Sequence, residues 1–361
     1  MTPQVLGPFA ANVPAIATLP DGRRYIQIEE QRQNIMVRNQ EYDDPAWTGN
    51  LYSVTPGQTD PVGGATADKV IPTASLGTHF IKQNPTYDGA SYYTHSVFAK
   101  ANGYRYIRVW LPSANFVGTP WANFDLQTGT VTLTGGGVIE MIDCGGGWYR
   151  CSVTALSDVG GNTKTDISIL DNSQNQTFTG DGTSGVDLWM SQVEIGQFPS
   201  SPIHTVAAAV TRNIDSLIYP ASAVPERFRI GEGKVNTVPF WATNEDTFNF
   251  FWELYDAGVP SAGRTYQLYD HSITSIKIQT SNGGTILHVL APCTVARQAE
   301  QENTHRADAG NLTLAGYAAG DGTIAGTPWD QYPTPASLLY YGMNRNSQHQ
   351  FNGLLSEAYV P

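Results

Sequence analysis

Between Asn34 and Val206 the sequence breaks into short runs in which apolar residues tend to fall on every second position, and this pattern restricts the fold more than any other feature. SYYTHSVFAKA, YRYIRVWL, NFDLQTGTVTL, WYRCSVTAL, TDISIL and VDLWMSQVEI are the runs, and Gly, Asn, Asp and Pro separate them. A period of two puts neighbouring side chains on opposite faces of a strand, so each run can bury one face and present the other. Six or more such runs divided by turn residues predict a β-sandwich. The 36 glycines and 22 prolines suit many tight turns, and a charged fraction of 14% is too low for long solvated helices.

A second series follows: FNFFWELYD, TYQLYD, TSIKIQT, TILHVLAP, NLTLAGYAAG and FNGLLSEAYV. Asn282-Gly283 lies between the third and fourth, where residues tolerant of positive φ predict a hairpin turn. QFPSSPIHTVAAAVTRNIDS, rich in Pro, Ser and small residues, marks the junction between the two series. The expected fold is therefore all-β, with two tandem β-sandwich (jelly-roll) domains at 34–206 and 207–361. A short extended N-terminal arm, residues 1–33, precedes them and ends in a strand at YIQIEE; such an arm suits docking onto another protein. In CTVARQAEQENTHRADAG the apolar positions are too sparse for a buried helical stripe, and a loop is expected there.

Charge excludes one class of partner. The formal net charge of −12, with no local cluster of Lys and Arg to reverse it, repels phosphate backbones, so nucleic acid is not an expected partner. No run of about 18 apolar residues is present, and the N-terminus lacks a basic region followed by a continuous apolar stretch, so neither membrane insertion nor a leader is expected. Cys144, Cys151 and Cys293 have no metal-ligand spacing. Buried thiols are expected, with a Cys144–Cys151 disulfide across a hairpin as the lesser alternative.

Alternation along YRYIRVWL places Tyr104, Tyr106, Arg108 and Trp110 on one face and Arg105, Ile107, Val109 and Leu111 on the other. The first set offers flat rings for sugar C–H groups and a guanidinium for hydroxyls or carboxylates, a possible glycan platform. Packing under a loop or a neighbouring subunit is the simpler reading. Trp148 and Arg150 share a face of GWYRCSV and either extend that platform or stack on each other. Trp121 and Trp329, in Pro-flanked GTPWANF and GTPWDQYP, read as loop anchors before ligand contacts. The aromatic density of FNFFWELYD indicates a strand covered on both sides or at an interface. No E-x-D-x-x-E, H-E-x-x-H, G-x-S-x-G or phosphate-binding glycine motif occurs, and an enzyme is not expected.

Taken in order, IEEQRQNIMVRNQEYDDPAWTG, ATADKV, SVFAKANGYRYIRVWL, NFDLQTGTVT, GGGWYRCSVTAL, VDLWMSQVEIGQFPSSPIHT and VTRNIDS form a recognisable series. It resembles phage tail-fibre and head-spike proteins in which a carbohydrate-binding-module-like jelly roll precedes a concanavalin A-like sandwich. NTHRADAGNLTLAGYAAGDG and QFNGLLSEAYVP are similar to the last strands of laminin-G and concanavalin A-like domains. The resemblance implies a structural protein on the surface of a virion, homotrimeric, made in the host cytoplasm. The arm would attach it to other virion proteins, and the sandwiches would bind host-surface polysaccharide during adsorption. It also implies that a structural calcium is possible near the last strand of the jelly roll, where Asp171, Asp181 and Asp187 lie; their spacing matches no defined calcium loop, and capping of turns is the simpler role. A purely structural decoration or connector is the alternative, and a polysaccharide depolymerase the more distant one.

Overall fold

The computed structural model describes residues 29–215 throughout, and elsewhere the backbone of strands between residues 15 and 28 and between residues 217 and 357. Every regular element among the described residues is a strand, so the chain is all-β as its alternation predicts. Two compact units divide it, one built on residues 31–212 and one on residues 213–361 with the strands that precede residue 31.

The chain begins with β1 (Ala15–Thr18) and β2 (Arg24–Ile28). The first unit then runs through β3 (Arg32–Asn34), β4 (Thr48–Asn50), β5 (Tyr52–Gln58), β6 (Ala67–Pro72), β7 (Leu76–Gln83) and β8 (Thr86–Tyr87). It continues with β9 (Ser91–Asn102), β10 (Tyr106–Trp110), β11 (Trp121–Asp125), β12 (Thr130–Gly136), β13 (Val138–Gly145) and β14 (Trp148–Ser157). The unit ends with β15 (Gly161–Asn162), β16 (Thr165–Leu170), β17 (Thr177–Thr179), β18 (Gly185–Ile195) and β19 (Val210–Arg212).

Two antiparallel sheets form the sandwich. The front sheet has the order β12-β11-β10-β16-β7-β17, with β4 also on β7, and the back sheet the order β13-β14-β9-β18-β6-β5. Ile81, Ile107, Val109, Ile167 and Ile169 point inward from the front and meet Val97, Cys151, Val153, Leu188 and Val193 from the back, each no more than 1% exposed. Each such side chain contributes about 1.5–3 kcal/mol by leaving water. Tyr87, Tyr93 and Phe116 add an edge-to-face cluster with ring centroids 4.9–5.9 Å apart. On the opposite side of the back sheet, Phe98, Trp148, Trp189 and Met190 make a smaller apolar cluster.

Buried amides tie the two ends of this unit together. The Asn34 side chain donates to the carbonyls of Ser191 and Ile203 and accepts from the N–H groups of Met36 and Val193. Asn39 donates to Ile203 O and accepts from Thr205 N, while Glu194 accepts from Gln192 Nε2 and from the N–H and hydroxyl of Ser200. Strand β19 pairs with β3, so residues 207–212 belong to the first unit, six positions beyond the expected junction. Strand β12 is an edge of the front sheet, carries no charged residue, and shifts register against β11 between Trp121 and Ala122 and again between Asn123 and Phe124.

The second unit contains β20 (Leu217–Pro220), β21 (Glu232–Pro239), β22 (Phe248–Tyr255), β23 (Gly263–Asp270), β24 (Ser275–Asn282) and β25 (Thr285–Pro292). β26 (Gln301–Asp308), β27 (Asn311–Gly316), β28 (Gly322–Ala325), β29 (Leu338–Tyr341) and β30 (Gly353–Glu357) follow. They form two antiparallel sheets, β1-β2-β30-β21-β26-β27-β28 and β20-β29-β22-β23-β24-β25. Asn282 pairs with Thr285, as the Asn-Gly hairpin predicts. Residues 301–308, expected as a loop, are instead strand β26 paired with β21 and β27; β-sheets need no continuous apolar stripe at that position when neighbours on both sides satisfy the backbone. Within the stretch read as an arm, β2 pairs with β1 and with β30.

Candidate functional site

The outer face of the front sheet is assembled by register. Lys82 on β7, Asp166 on β16, Trp110 on β10 and Trp121 on β11 stand directly opposite one another in one row. The next row holds Phe80, Ser168, Arg108 and Asn123. Directly opposed residues in antiparallel strands share a face, so both rows point away from the core that Ile107 and Val109 fill.

Contacts within the two rows are specific. The Arg108 guanidinium lies 3.9 Å from the centroid of the Trp121 ring, and its Nε donates to Asn123 Oδ1 at 2.7 Å. Asn123, fully buried, donates onward to Gln174 Oε1 at 3.3 Å, and Thr132 Oγ1 donates to the same oxygen at 2.7 Å. The Lys164 ammonium sits between two rings, 4.9 Å from Trp110 and 5.0 Å from Phe80, and 3.3 Å from Asp166 Oδ2. Ser168 Oγ donates to Asp166 Oδ1 at 3.1 Å.

Desolvation governs the charges here. Burial pushes the Asp166 carboxyl above its ordinary range, against the pull of Lys164, Ser168 and Arg108, and burial lowers Arg108 against the pull of Asp166. Behind the face, inside the sandwich, the fully buried His95 places Nδ1 3.0 Å from Thr165 Oγ1 and 3.3 Å from the Trp110 carbonyl oxygen. Its burial lowers the imidazole to about 4, so it is neutral at physiological pH.

Of the residues singled out in the sequence, Arg108 and Trp110 meet on this face, both half-buried. Tyr106 shares it but is only 8% exposed, unlike the half-buried Trp110 and Trp121, with the Arg105 guanidinium 4.7 Å from its ring and paired in turn with Asp125. Tyr104 does not share it. Strand β10 begins only at Tyr106, after Gly103 turns the chain at φ 110°, and Tyr104 packs inward against Phe178 with centroids 5.2 Å apart. Trp148 and Arg150 stand on β14 of the back sheet, whose outer face points the other way, so they cannot extend the platform. Both are buried, at 3% and 1% exposure, Trp148 in the Phe98–Trp189 cluster and Arg150 against Ser96 Oγ and the Phe98 ring.

Six residues of the site were not read from the sequence: Phe80, Lys82, Asn123, Lys164, Asp166 and Ser168. Trp121 was placed in a loop but lies on β11. The alternation of Asp166 and Ser168 with isoleucine in TDISIL is the signal that could have found the polar half, since a period of two sets them on the face opposite Ile167 and Ile169.

The remaining chemistry-bearing residues are locally engaged. Asp171 accepts from Ser173 N, Asn175 N and Asn175 Nδ2, and Asp181 from Thr183 N and Ser184 N, each capping its own turn. Asp187 accepts from Asn102 Nδ2. Among the described residues no group of three His, Cys, Asp or Glu side chains could hold a metal ion. Cys144 and Cys151 are free thiols; the β13–β14 register sets Met141, not Cys144, opposite Cys151, and burial pushes Cys144 up to about 11. Cys293 and Trp329 lie outside the described residues.

No family model matches the sequence, and no curated protein does. Among solved structures, the CBM40 module of the Ruminococcus gnavus IT-sialidase aligns with 39% of this chain and 85% of its own, at 12% identity and a TM-score of 0.30. Domains LG4-5 of the mouse laminin alpha1 chain align with 97% of this chain and 92% of their own, at 10% identity and a TM-score of 0.26. The LG1-3 region of the laminin alpha2 chain aligns with 78% of this chain and 64% of its own, at 10% identity and a TM-score of 0.30. Likenesses of this size carry no functional conclusion.

Proposed function

We propose that this chain is a carbohydrate-binding β-sandwich protein whose sugar-contacting surface is the outer face of the front sheet around Phe80, Arg108, Trp110 and Trp121. The observation that carries the reading is the cross-strand pair Trp110–Trp121, half-buried and bordered by Arg108, Lys164 and Asp166. A sugar ring needs a flat apolar surface beneath its C–H groups and fixed polar groups at its edge, and this face supplies both. The sequence resemblance supports a setting for it: a surface appendage of a phage or phage-like particle, homotrimeric, that attaches to other virion proteins and engages host polysaccharide.

The proposed role is binding without catalysis. Glycoside hydrolysis takes two carboxyl groups about 5–9.5 Å apart with separate roles. Asp166 is held by Lys164 and Ser168, and Asp125, on the next strand but one and four residues along from the position opposite Asp166, is held by Arg105. Titration of the full chain against a glycan array is expected to give binding that Trp110→Ala and Trp121→Ala remove while near-ultraviolet circular dichroism stays unchanged. Absence of binding to any glycan or to host envelopes would overturn the reading.

One observation favours the connector alternative: Val131 and Leu133 on β12 and Val138 on β13 are 40–52% exposed, apolar side chains that another protein would cover. Particles that lack the chain yet assemble completely and merely fail to adsorb would remove that alternative.

A further inference from the structure

The preceding proposal leaves the ligand's charge open, and Arg108 addresses it. Resting on that proposal, we infer that the saccharide taken by this face carries a carboxylate, gripped by the two Nη groups of Arg108.

The guanidinium is fixed before any ligand arrives. Its carbon lies 3.9 Å from the Trp121 centroid, its Nε is bonded to Asn123, and Asn123 is itself held through Gln174 and Thr132. An arginine side chain loses about 2 kcal/mol of rotamer freedom when immobilised, and here folding takes most of that loss out of the binding step. Both Nη groups bond to no protein atom among the described residues, and neither is sealed from solvent. They form a preset fork. Two parallel N–H donors match the two oxygens of a carboxylate in a bidentate pair.

The surroundings favour an anion despite the acidic chain. Lys82, Lys164 and Arg108 stand on this face against Asp166 and Asp125, and both carboxylates are already engaged, Asp166 by Lys164 and Ser168 and Asp125 by Arg105. At physiological ionic strength charges farther than about 8 Å are largely screened, so the groups on this face, more than the net −12 of the whole chain, set the field a ligand meets. Burial also destabilises the charge on Arg108, and a ligand carboxylate would relieve that. A neutral hydroxyl would not. A planar carboxylate lies in the layer stacked on Trp121, whereas a tetrahedral sulfate must turn an oxygen toward the indole.

The test is isothermal titration of the full chain with matched ligands: trigalacturonate and its methyl ester, and a hyaluronan tetrasaccharide and its carboxyl-reduced form. The acid of at least one pair is expected to bind at least about ten-fold tighter than its neutral partner, and to weaken as NaCl is raised from roughly 50 to roughly 500 mM. Arg108→Gln should abolish the preference, and Arg108→Lys should restore only part of it, since an ammonium keeps the charge without the fork. Equal binding of acid and neutral partners by the wild-type chain overturns the carboxylate and leaves the saccharide face standing. Tighter binding of a sulfated carrageenan tetrasaccharide than of either acid also overturns it. No binding by any member of the series, together with a silent glycan array, removes both readings. The comparison of paired ligands on the wild-type chain needs no variant to fold.

Discussion

His95 is a titratable residue fully withdrawn from water. Its ring is sealed between the sheets, and burial lowers its pKa from 6.5 to about 4. Below pH 6.5 the unfolded chain takes up a proton that the folded chain refuses until about pH 4. This residue's contribution to stability is therefore complete above pH 6.5 and is lost as pH falls through that window, by at most roughly 3 kcal/mol. Asp166 and Asp187, which burial raises, act with the opposite sign. Urea unfolding of the wild type and of His95→Gln across pH 4–7 isolates the term: the variant should show a flatter profile, and parallel profiles would refute the assignment. At the face itself, Trp110→Ala is expected to weaken glycan binding by at least about ten-fold with little change in urea midpoint, because the ring is only half-buried. Alternation located Ile107 and Val109 in the core and Arg108 and Trp110 outside it. It failed at Tyr104 because the period of two holds only inside a strand, and Gly103 at φ 110° stands between Tyr104 and the strand before it. Such a turn is a property of one glycine's backbone, which composition does not reveal.

At the scale of elements, the strands β9, β10, β14, β16 and β18 follow the runs read from the sequence, whereas β5, β6 and β7 do not stand out there. LGTHFIKQ on β7 alternates poorly because both faces are occupied, His79 bonded inside and Phe80 under Lys164 outside. Hence the half of the site that β7 and β16 supply was missed. The segments IEEQRQNIMVRNQ and LWMSQVEIGQFPSSPI are far apart in sequence, yet they meet at the buried amides of Asn34 and Asn39. Asn34→Ala would leave two backbone N–H groups and two carbonyls without their partner. With each buried unsatisfied group costing about 1–3 kcal/mol, a loss of at least about 3 kcal/mol is expected in urea unfolding. A loss below about 1 kcal/mol would mean that the ends of the unit are held by something else.

For the whole molecule, the first unit has its own core of residues from both sheets and closes with β19 on β3. A polypeptide of residues 31–212 is therefore expected to unfold in urea as one cooperative transition, seen alike by tryptophan fluorescence and far-ultraviolet circular dichroism. Non-coincident curves would show that the unit depends on the rest of the chain. Two sandwiches were legible from the two series of alternating runs, because a β-sandwich writes its period into every strand. Which strand adjoins which was not, since pairing joins residues as distant as Ile26 and Leu355.

The flank at β12 has a further consequence. An uncharged, exposed strand of Thr, Val, Leu and Gly is the composition that seeds fibrils when molecules crowd together. A template must be straight to be copied. Two register shifts within the five residues of β11 bend the flank and put its outward N–H and C=O groups out of step with any flat incoming strand. Growth of crowded copies through this flank is therefore expected to be disfavoured.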